Sequence, residues 1–312
     1  MDIHRLKHLL FALILLASAV CAQAALAPAD TRNGSAESLR AKAAELREPL
    51  ARSSFGRPLV LTAKEENQRL TSEAYAVLEH GFAGDLPLAS PNEWCDVLML
   101  TFNTKLCAVG QDAGGTTLTM YVGRKYSTPL DQAFELSFRY RVLARTPNYL
   151  HVMLTADKGP FGTSDYVLHF ELTPLDDKHS FLHLVYDYSF GTAARLMMQT
   201  YLATVGRQKV GFTVEGVEPS GNRIYTKGMR GVIERNTMRY YLAIESYLAA
   251  RALPPERRTA AMAEAYFDAN ERFPRQLHEM ERGEYLAMKL REYQRMRGAS
   301  PVPRTASSLP SR

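Results

Sequence analysis

The chain lacks the short motifs of the common catalytic and nucleotide-binding sites. It has no G-x-x-x-x-G-K loop and no G-x-G-x-x-G turn, which excludes the usual phosphate-binding loops. It also has no G-x-S-x-G elbow, the turn that carries the serine nucleophile of many hydrolases. His278-Glu279 is not followed by a second histidine four residues after the first, which excludes a zinc protease of the H-E-x-x-H type.

The excess of basic over acidic residues is also small. The 312 residues contain 38 Lys+Arg against 33 Asp+Glu, a net charge of +5. The basic residues after Met229 are interleaved with acidic ones, so no one-signed face for nucleic acid or an anionic membrane is predicted. With 46% hydrophobic residues the chain can bury a sizeable core, which indicates one large globular domain with appendages.

The chain has its one long apolar run at the N-terminus. Arg5 and Lys7 precede the run from Leu9 to Val20, and Ala22-Gln23-Ala24 follows it. This pattern predicts a secretory signal cleaved after the last of these alanines, and a soluble periplasmic or secreted product. The alternatives are a transmembrane anchor, which needs about 20 apolar residues, and a lipoprotein signal ending at Cys21. No stable transmembrane anchor is expected.

Cysteine is scarce, with three residues in all. Cleavage would remove Cys21 and leave Cys95 and Cys107 as a pair in an oxidising compartment. One continuous helix would hold the pair about 18 Å apart, whereas a disulfide needs Cα atoms within about 7 Å. A turn near Asn103-Thr104-Lys105 would allow the bond. The spacing is not that of a redox or metal pair, so a structural disulfide is predicted.

Five segments between residues 116 and 190 alternate apolar with polar residues, which is the period of strands with one buried face. Turn residues separate the segments, so we predict an antiparallel meander that is apolar on one face. The apolar residues of the five segments begin at Leu118, Phe134, Leu150, Tyr166 and Leu182.

Helical signals lie on both sides of this meander. Ser90-Pro91-Asn92-Glu93 is typical of a helix start, and residues 229–250 carry an apolar stripe at helical spacing. Charged helices with apolar faces are predicted at 256–272 and 281–297, a short surface helix at 36–47 and another short helix at 192–204. Residues 70–82 fit either a helix or a strand, 205–215 are ambiguous, and 216–226 are predicted to be a loop.

Two histidines fall on the polar face of neighbouring predicted strands. His169 and His183 lie beside Glu171 and Asp187. One interpretation is a cross-strand site that binds a metal or moves protons. The alternation favours the other interpretation, polar residues that face solvent on the outer side of the sheet. No metal and no cofactor are therefore predicted.

The chain contains 16 tyrosines. Those on predicted apolar faces are Tyr140, Tyr166, Tyr186 and Tyr188 in the strands and Tyr240 and Tyr247 in the helix. An interior tyrosine presents an apolar ring and a hydroxyl that needs a partner. Tyrosines on facing elements therefore indicate a cavity for a mostly apolar guest. The alternative is that they pack at the core margin with their hydroxyls in solvent.

The order of these elements resembles the helix-grip architecture of the StAR-related lipid-transfer and polyketide-cyclase-like superfamily. The resemblance implies an α+β fold in which a curved antiparallel β-sheet wraps a long C-terminal helix, with additional C-terminal helices. It places the first strand at 70–82, small helices at 83–106, the meander at 116–190 and the gripped helix at 229–250. The implied domains are a signal peptide (1–24), a lead-in segment (25–57), a ligand-binding domain (58–250), accessory helices (251–297) and a disordered tail (298–312).

The same resemblance implies that the protein binds or carries a lipid-like small molecule between sheet and helix, without catalysis. The expected wall is Trp94, Phe138, Tyr140, Leu154, Phe170, Tyr186, Tyr188, Tyr240 and Ile244. Two alternatives stay open. One is a cyclase-like or hydrolase-like enzyme on the same scaffold. The other is an envelope protein with a solid core whose charged helices after Pro255 bind a protein partner.

Overall fold

The computed structural model describes residues 34–81, 86–204 and 206–298. The predicted signal peptide, with Cys21, and the predicted tail beyond Gly298 lie outside these ranges. The fold is α+β, with one large antiparallel sheet and helices that precede, interrupt and follow it.

Eight antiparallel strands form the sheet. In spatial order they are β1 (Leu59–Glu66), β2 (Arg69–Leu78), β8 (Ser180–Phe190), β7 (Thr163–Pro174), β6 (Tyr149–Lys158), β5 (Phe134–Thr146), β4 (Gly115–Val122) and β3 (Thr104–Asp112). The five predicted strands are β4 to β8, and the meander is confirmed. The sequence analysis missed β3, which pairs with β4 and carries Cys107.

The segment that fitted either a helix or a strand is β2, the second strand rather than the first. It follows β1 through a two-residue turn in which Asn67 and Gln68 have φ of 48° and 61°. Two consecutive left-handed residues are typical of the hairpin turn whose twist matches that of paired strands. β2 then pairs with β8, Arg69 opposite Ser189 and Leu78 opposite Ser180, which places the N-terminal hairpin beside the last strand of the meander.

The helices are α1 (Ala36–Glu45), α2 (Arg47–Ala51), α3 (Pro91–Met99), α4 (Thr192–Ala203), α5 (Gly228–Ala250), α6 (Pro255–Glu271), α7 (Pro274–Leu277) and α8 (Arg282–Gly298). The start predicted for α3 is confirmed. The Ser90 hydroxyl accepts from the Asn92 N–H, and the Ser90 N–H donates to Glu93 at 3.0 Å, so both groups at the helix start are satisfied.

The loop predicted at 216–226 is wrong in part. Val214–Val217 and Arg223–Tyr225 pair as a small hairpin, β9 and β10. Both strands are short and largely exposed. They therefore lack the alternation of apolar and polar residues by which the longer strands are recognised.

Helix α5 packs on β1, β2 and β8. We call the sheet face that meets α5 the inner face, and the other the outer face. Helix α6 covers the side of α5 away from the sheet, so residues all around α5 are buried, among them Ile233, Met238, Leu242 and Ile244. The expected sheet and gripped helix are present, and the gripped helix is α5.

The charged C-terminal helices share this core. Tyr266 of α6 and Tyr285 and Tyr293 of α8 are buried in the same cluster as the inner-face residues. The Tyr285 hydroxyl also donates to the carbonyl of Leu100 at 2.7 Å. The apolar faces predicted for these helices are thus confirmed, whereas the division into a ligand-binding domain and accessory helices stays a prediction.

The disulfide between Cys95 and Cys107 is confirmed, with their Cα atoms 5.4 Å apart. Cys95 lies in α3 and Cys107 in β3. The chain turns between Met99 and Thr104, close to the predicted position, and the bond ties the helix to the edge of the sheet.

The outer face is not open to solvent as the alternation suggested. Helices α1 and α2 lie on it, and Leu39 and Leu50 pack with Tyr149 and Phe181 in a second small core. His169 and Glu171 are consequently buried, and Asp187 is buried too, with its carboxylate accepting from Arg69 and Thr71 of β2. Alternation tells which residues share a face but not whether another element covers that face, so the solvent-facing interpretation was wrong.

In the part of the chain that the structure describes, no helix is both long enough and apolar enough to cross a lipid bilayer.

Candidate functional site

Aromatic side chains from three strands and α5 meet at one end of the inner face. We call this set, Phe138, Tyr166, Tyr186, Tyr188 and Tyr240, the tyrosine end. Strand register brings the sheet residues together, because residues directly opposite each other project to the same face. Tyr186 lies opposite Leu168, and Ala156 of β6 lies opposite Tyr166.

The rings of the tyrosine end form one contiguous cluster. Tyr166 stacks on Tyr188 with ring centroids 5.0 Å apart and an interplanar angle of 15°. Tyr186 meets Tyr240 edge to face at 5.0 Å, and Phe138 meets Tyr166 edge to face at 6.2 Å. Both arrangements are favourable for aromatic pairs. The sheet and the helix therefore present a joint aromatic wall.

Tyr186, Tyr188 and Tyr240 are largely desolvated but keep some accessible surface. Tyr186 and Tyr188 keep 7% and 5% of their surface accessible, and Tyr240 is only half-buried. Burial nevertheless raises the pKa of Tyr240 to about 12 and also raises the pKa of Tyr186 and of Tyr188. The three tyrosines therefore lie in a largely desolvated environment in which part of their surface is still accessible.

The hydroxyls of this wall differ in their partners. Tyr166 donates to the Thr163 hydroxyl at 2.8 Å, and the Tyr186 and Tyr240 hydroxyls interact with each other. The Tyr188 hydroxyl makes no hydrogen bond to the residues described in the structure. With their pKa values raised, these hydroxyls stay protonated at neutral pH, so they can donate hydrogen bonds but do not act as bases.

One buried cation acts on the same end. Arg235 of α5 donates to the carbonyl of Val210 at 3.1 Å, and its charge opposes, in part, the effect of burial on the Tyr188 pKa. Arg235 therefore brings a positive charge near enough to act on the Tyr188 hydroxyl, and guanidinium groups bind acidic groups most strongly.

Elsewhere the inner face is closed. Trp94, Leu154, Phe170 and Ile244 have no accessible surface. The Trp94 indole N–H donates to the carbonyl of Leu88 at 2.8 Å, and the Trp94 ring meets Phe170 edge to face at 5.2 Å. These four residues pack as core in this structure.

The nine residues predicted for the ligand wall therefore all lie in one interior, but in two groups. Tyr140 lies among them with its hydroxyl donating to the carbonyl of Ala89 at 2.9 Å. Phe138, Tyr186, Tyr188 and Tyr240 belong to the tyrosine end. The assignment of all nine to a ligand stays a prediction.

A tight turn and α4 close the tyrosine end. Gly159 lies against the Tyr166 ring, where a Cβ atom would come within 2.3 Å of a ring carbon, so only glycine fits. The N–H of Gly191, just before α4, donates to the carbonyl of Gly162 at 3.2 Å. On the outside of this closure Phe161 and Leu196 are 66% and 65% exposed, an apolar surface beside the aromatic wall.

Sequence reasoning missed three of these features. Tyr166 was placed on an apolar face, but its stacking on Tyr188 depends on strand register. Arg235 could not be distinguished from the other arginines of α5, because the helix is buried on nearly all sides. Phe161 carried no signal, since isolated exposed apolar residues are common.

Two depressions lie elsewhere, and charged residues make up half or more of the lining of each. One of about 190 Å³ lies among Asp96, Tyr247, Ala250, Arg251, Pro255, Arg258, Met262 and Arg297. The other, of about 460 Å³, is lined by Arg207, Gln208, Val210, Lys227 and Arg275. Neither includes a residue of the tyrosine end.

A group able to hold a metal, His151, His169 and Glu171, lies on the outer face of the sheet.

No protein-family model matches this chain, and no curated protein sequence matches it.

Solved structures are similar to it in fold only loosely. A conserved protein from Geobacillus kaustophilus is 12% identical with a TM-score of 0.33, the alignment covering 57% of this chain and 95% of the other. Human StAR-related lipid transfer protein 5 is 10% identical with a TM-score of 0.27, covering 54% and 89%. Norcoclaurine synthase from Thalictrum flavum, in complex with dopamine and hydroxybenzaldehyde, is 13% identical with a TM-score of 0.30, covering 48% and 80%. Similarity of this extent does not identify a ligand or a reaction.

Proposed function

We propose that this protein binds a lipid-like, amphipathic small molecule between its sheet and helix α5, with the guest's apolar part against the tyrosine end. One observation carries the proposal. Tyr186, Tyr188 and Tyr240 each keep some accessible surface although burial raises the pKa of each hydroxyl. A fully packed core would have removed that surface, as it has at Phe170.

The driving force is apolar burial. Removing about 300 Å² of a guest's apolar surface from water contributes about 7.5 kcal/mol at 25 cal/mol per Å², and the cost of association reduces this figure. The Tyr188 hydroxyl and the Arg235 guanidinium would orient the polar group, so we propose that acidic amphiphiles bind better than neutral ones.

We further propose that the guest enters beside α4. This helix directs Ala194 toward the core and leaves Leu196 and Met197 exposed, next to exposed Phe161. Exposed apolar residues at the entrance can contact the apolar part of a guest as it enters. The contact needs little free energy, because these side chains already face water when the site is closed.

The proposed location is outside the cytoplasm. The N-terminal pattern ending at Ala24 supports export. The disulfide between Cys95 and Cys107 supports it independently, because such bonds persist in oxidising compartments.

A pair of conservative substitutions separates binding from catalysis. In the double variant Tyr186→Phe/Tyr188→Phe the rings remain and the hydroxyls are lost. A carrier should keep its affinity for a fluorescent fatty-acid analogue within about tenfold, since one hydrogen bond contributes about 1 kcal/mol. Fluorescence titration of the purified protein measures this, with Tyr126→Phe, on an exposed tyrosine, as the control.

The alternative is an enzyme in which Tyr188 and Arg235 polarise a carbonyl. It predicts instead that the double variant binds normally but loses turnover by about a hundredfold or more, as removal of one such donor does. Complete loss of binding in a folded double variant would contradict a site driven by apolar burial.

A further inference from the structure

A second cluster lies on the outer face, beneath α1. His151 of β6 lies opposite Glu171 of β7, and Glu171 lies opposite His183 of β8, so the three form one row across neighbouring strands. His169, two residues before Glu171, projects to the same face. The row is covered because α1 packs against β7 and β8.

Three of these side chains converge at metal-binding distance. His151, His169 and Glu171 are each buried, and each offers one ligand atom that lies within 4.8 Å of the other two. The ring centroids of His151 and His169 are 4.3 Å apart, and the Nε2 atom of His169 is 3.8 Å from a Glu171 oxygen. Two ligand atoms that each lie about 2.0–2.2 Å from a zinc ion are less than about 4.4 Å from each other. Side-chain movements of about an ångström would therefore bring the three ligand atoms to binding distance from one ion.

The carboxylate of this group is already held in place. The Tyr149 hydroxyl donates to one oxygen of Glu171, and the Nδ1 atom of His183 is 2.7 Å from the other. His183 is itself fixed, with Nε2 3.1 Å from a Glu73 oxygen and its ring stacked on Tyr75 at 4.2 Å. Outer groups of this kind orient the ligands of protein metal sites.

The charges of the row also suit a cation. Glu171 places one carboxylate at the centre of the row, where the Tyr149 hydroxyl and the His183 ring contact it. Glu73 adds a second carboxylate at the partly exposed margin of the row, in contact with His183. Two imidazoles and one carboxylate are the ligands that zinc and similar transition metals use in proteins.

We propose that His151, His169 and Glu171 form a binding site for one divalent transition-metal ion, of which Zn²⁺ fits the ligand set best. The ion joins the central strands β6 and β7 beneath α1, on the face opposite the tyrosine end. The site is independent of ligand binding between the sheet and α5.

Titration with Co²⁺, a spectroscopic substitute for Zn²⁺, tests this inference. The whole mature chain, without a histidine tag and stripped with a chelator, should bind one Co²⁺ with visible absorption, and one equivalent of Zn²⁺ should abolish that absorption. His169→Gln should weaken Zn²⁺ binding by about a hundredfold or more, and His183→Gln by about ten- to a hundredfold, as loss of an orienting group does. His179→Gln, on an exposed histidine, should leave it unchanged.

Unfolding is monitored in parallel, so that a misfolded variant is recognised. If His169→Gln does not fold, His151→Gln takes its place. If both fail, the wild-type protein decides, since one bound Zn²⁺ should raise its midpoint of thermal unfolding. The inference is overturned if the wild type binds no stoichiometric ion, or if folded His169→Gln binds as tightly as the wild type. It is overturned equally if His179→Gln loses the binding, because the ion would then be an adventitious surface ion.

Discussion

Replacing Ala156 by phenylalanine is expected to abolish uptake of a lipid-like guest and leave the fold intact. Ala156 is on the inner face of β6, opposite Tyr166, and keeps 3% of its surface accessible. A ring placed there would occupy space that the proposed guest would fill. We expect at least about a tenfold loss of affinity for the fluorescent fatty-acid analogue. The free energy of unfolding should change by less than about 1 kcal/mol, because a ring that fills empty space needs no repacking.

Ala74→Phe is the matched control. Ala74 lies on the inner face of β2, opposite Leu184, and has no accessible surface. The same added ring should destabilise the protein there by about 1–3 kcal/mol, since well-packed positions tolerate extra volume poorly. If Ala156→Phe is destabilised as much as Ala74→Phe, the tyrosine end is already filled by its own side chains. The carrier and enzyme proposals would then both be wrong.

Removing the charge of Glu279 is expected to cost about 3–5 kcal/mol of stability, the usual effect of breaking a buried ion pair from one side. Glu279 lies between α7 and α8, nearly buried among three cations. The Lys125 and Lys209 ammonium groups are 2.6 Å and 3.7 Å from its carboxylate, and Arg239 of α5 also binds it. Glu279→Gln leaves these cations close together without the anion. Urea unfolding at neutral pH measures the loss, and Glu281→Gln, on an exposed glutamate, should change stability by less than about 0.5 kcal/mol.

The acid dependence of this effect has a definite sign. Burial raises the pKa of Glu279, but Arg239, Lys125 and Lys209 outweigh it and lower the pKa below 4.5 on balance. A carboxyl whose pKa is lower in the folded state stabilises the fold above its unfolded pKa, and loses that contribution as the pH falls through the folded value. The difference between wild type and Glu279→Gln should therefore be largest above pH 5 and shrink below 4.5. If the difference in free energy of unfolding stays constant with pH, the packing of the Glu279 side chain, and not its charge, is what stabilises the fold.

Much of the fold could be predicted from the sequence. Period-two alternation located β4 to β8, because each strand buries one face, and the Ser90 to Glu93 signal located α3. β3 escaped because Thr104, Lys105, Leu106 and Cys107 are all buried, so its first half does not alternate. The β9–β10 hairpin escaped for the opposite reason, since both of its strands are largely exposed.

The candidate sites show where sequence reasoning stops. The tyrosines of the interior could be assigned to a face, but only strand register shows that Tyr166 stacks on Tyr188 while Phe170 is sealed. His169 and Glu171 could be placed side by side, yet their burial depends on α1, which lies more than a hundred residues away in the chain. His151 was not singled out, because its position opposite Glu171 depends on the pairing of β6 with β7.

Native mass spectrometry of the protein purified from its own cell envelope shows whether a guest molecule occupies the interior. We predict that a fraction of the wild-type chain carries the additional mass of one lipid-like molecule, which organic extraction releases, and that Ala156→Phe carries none. A spectrum that shows only the ligand-free mass, in a protein that also takes up no added fatty-acid analogue, would contradict the account.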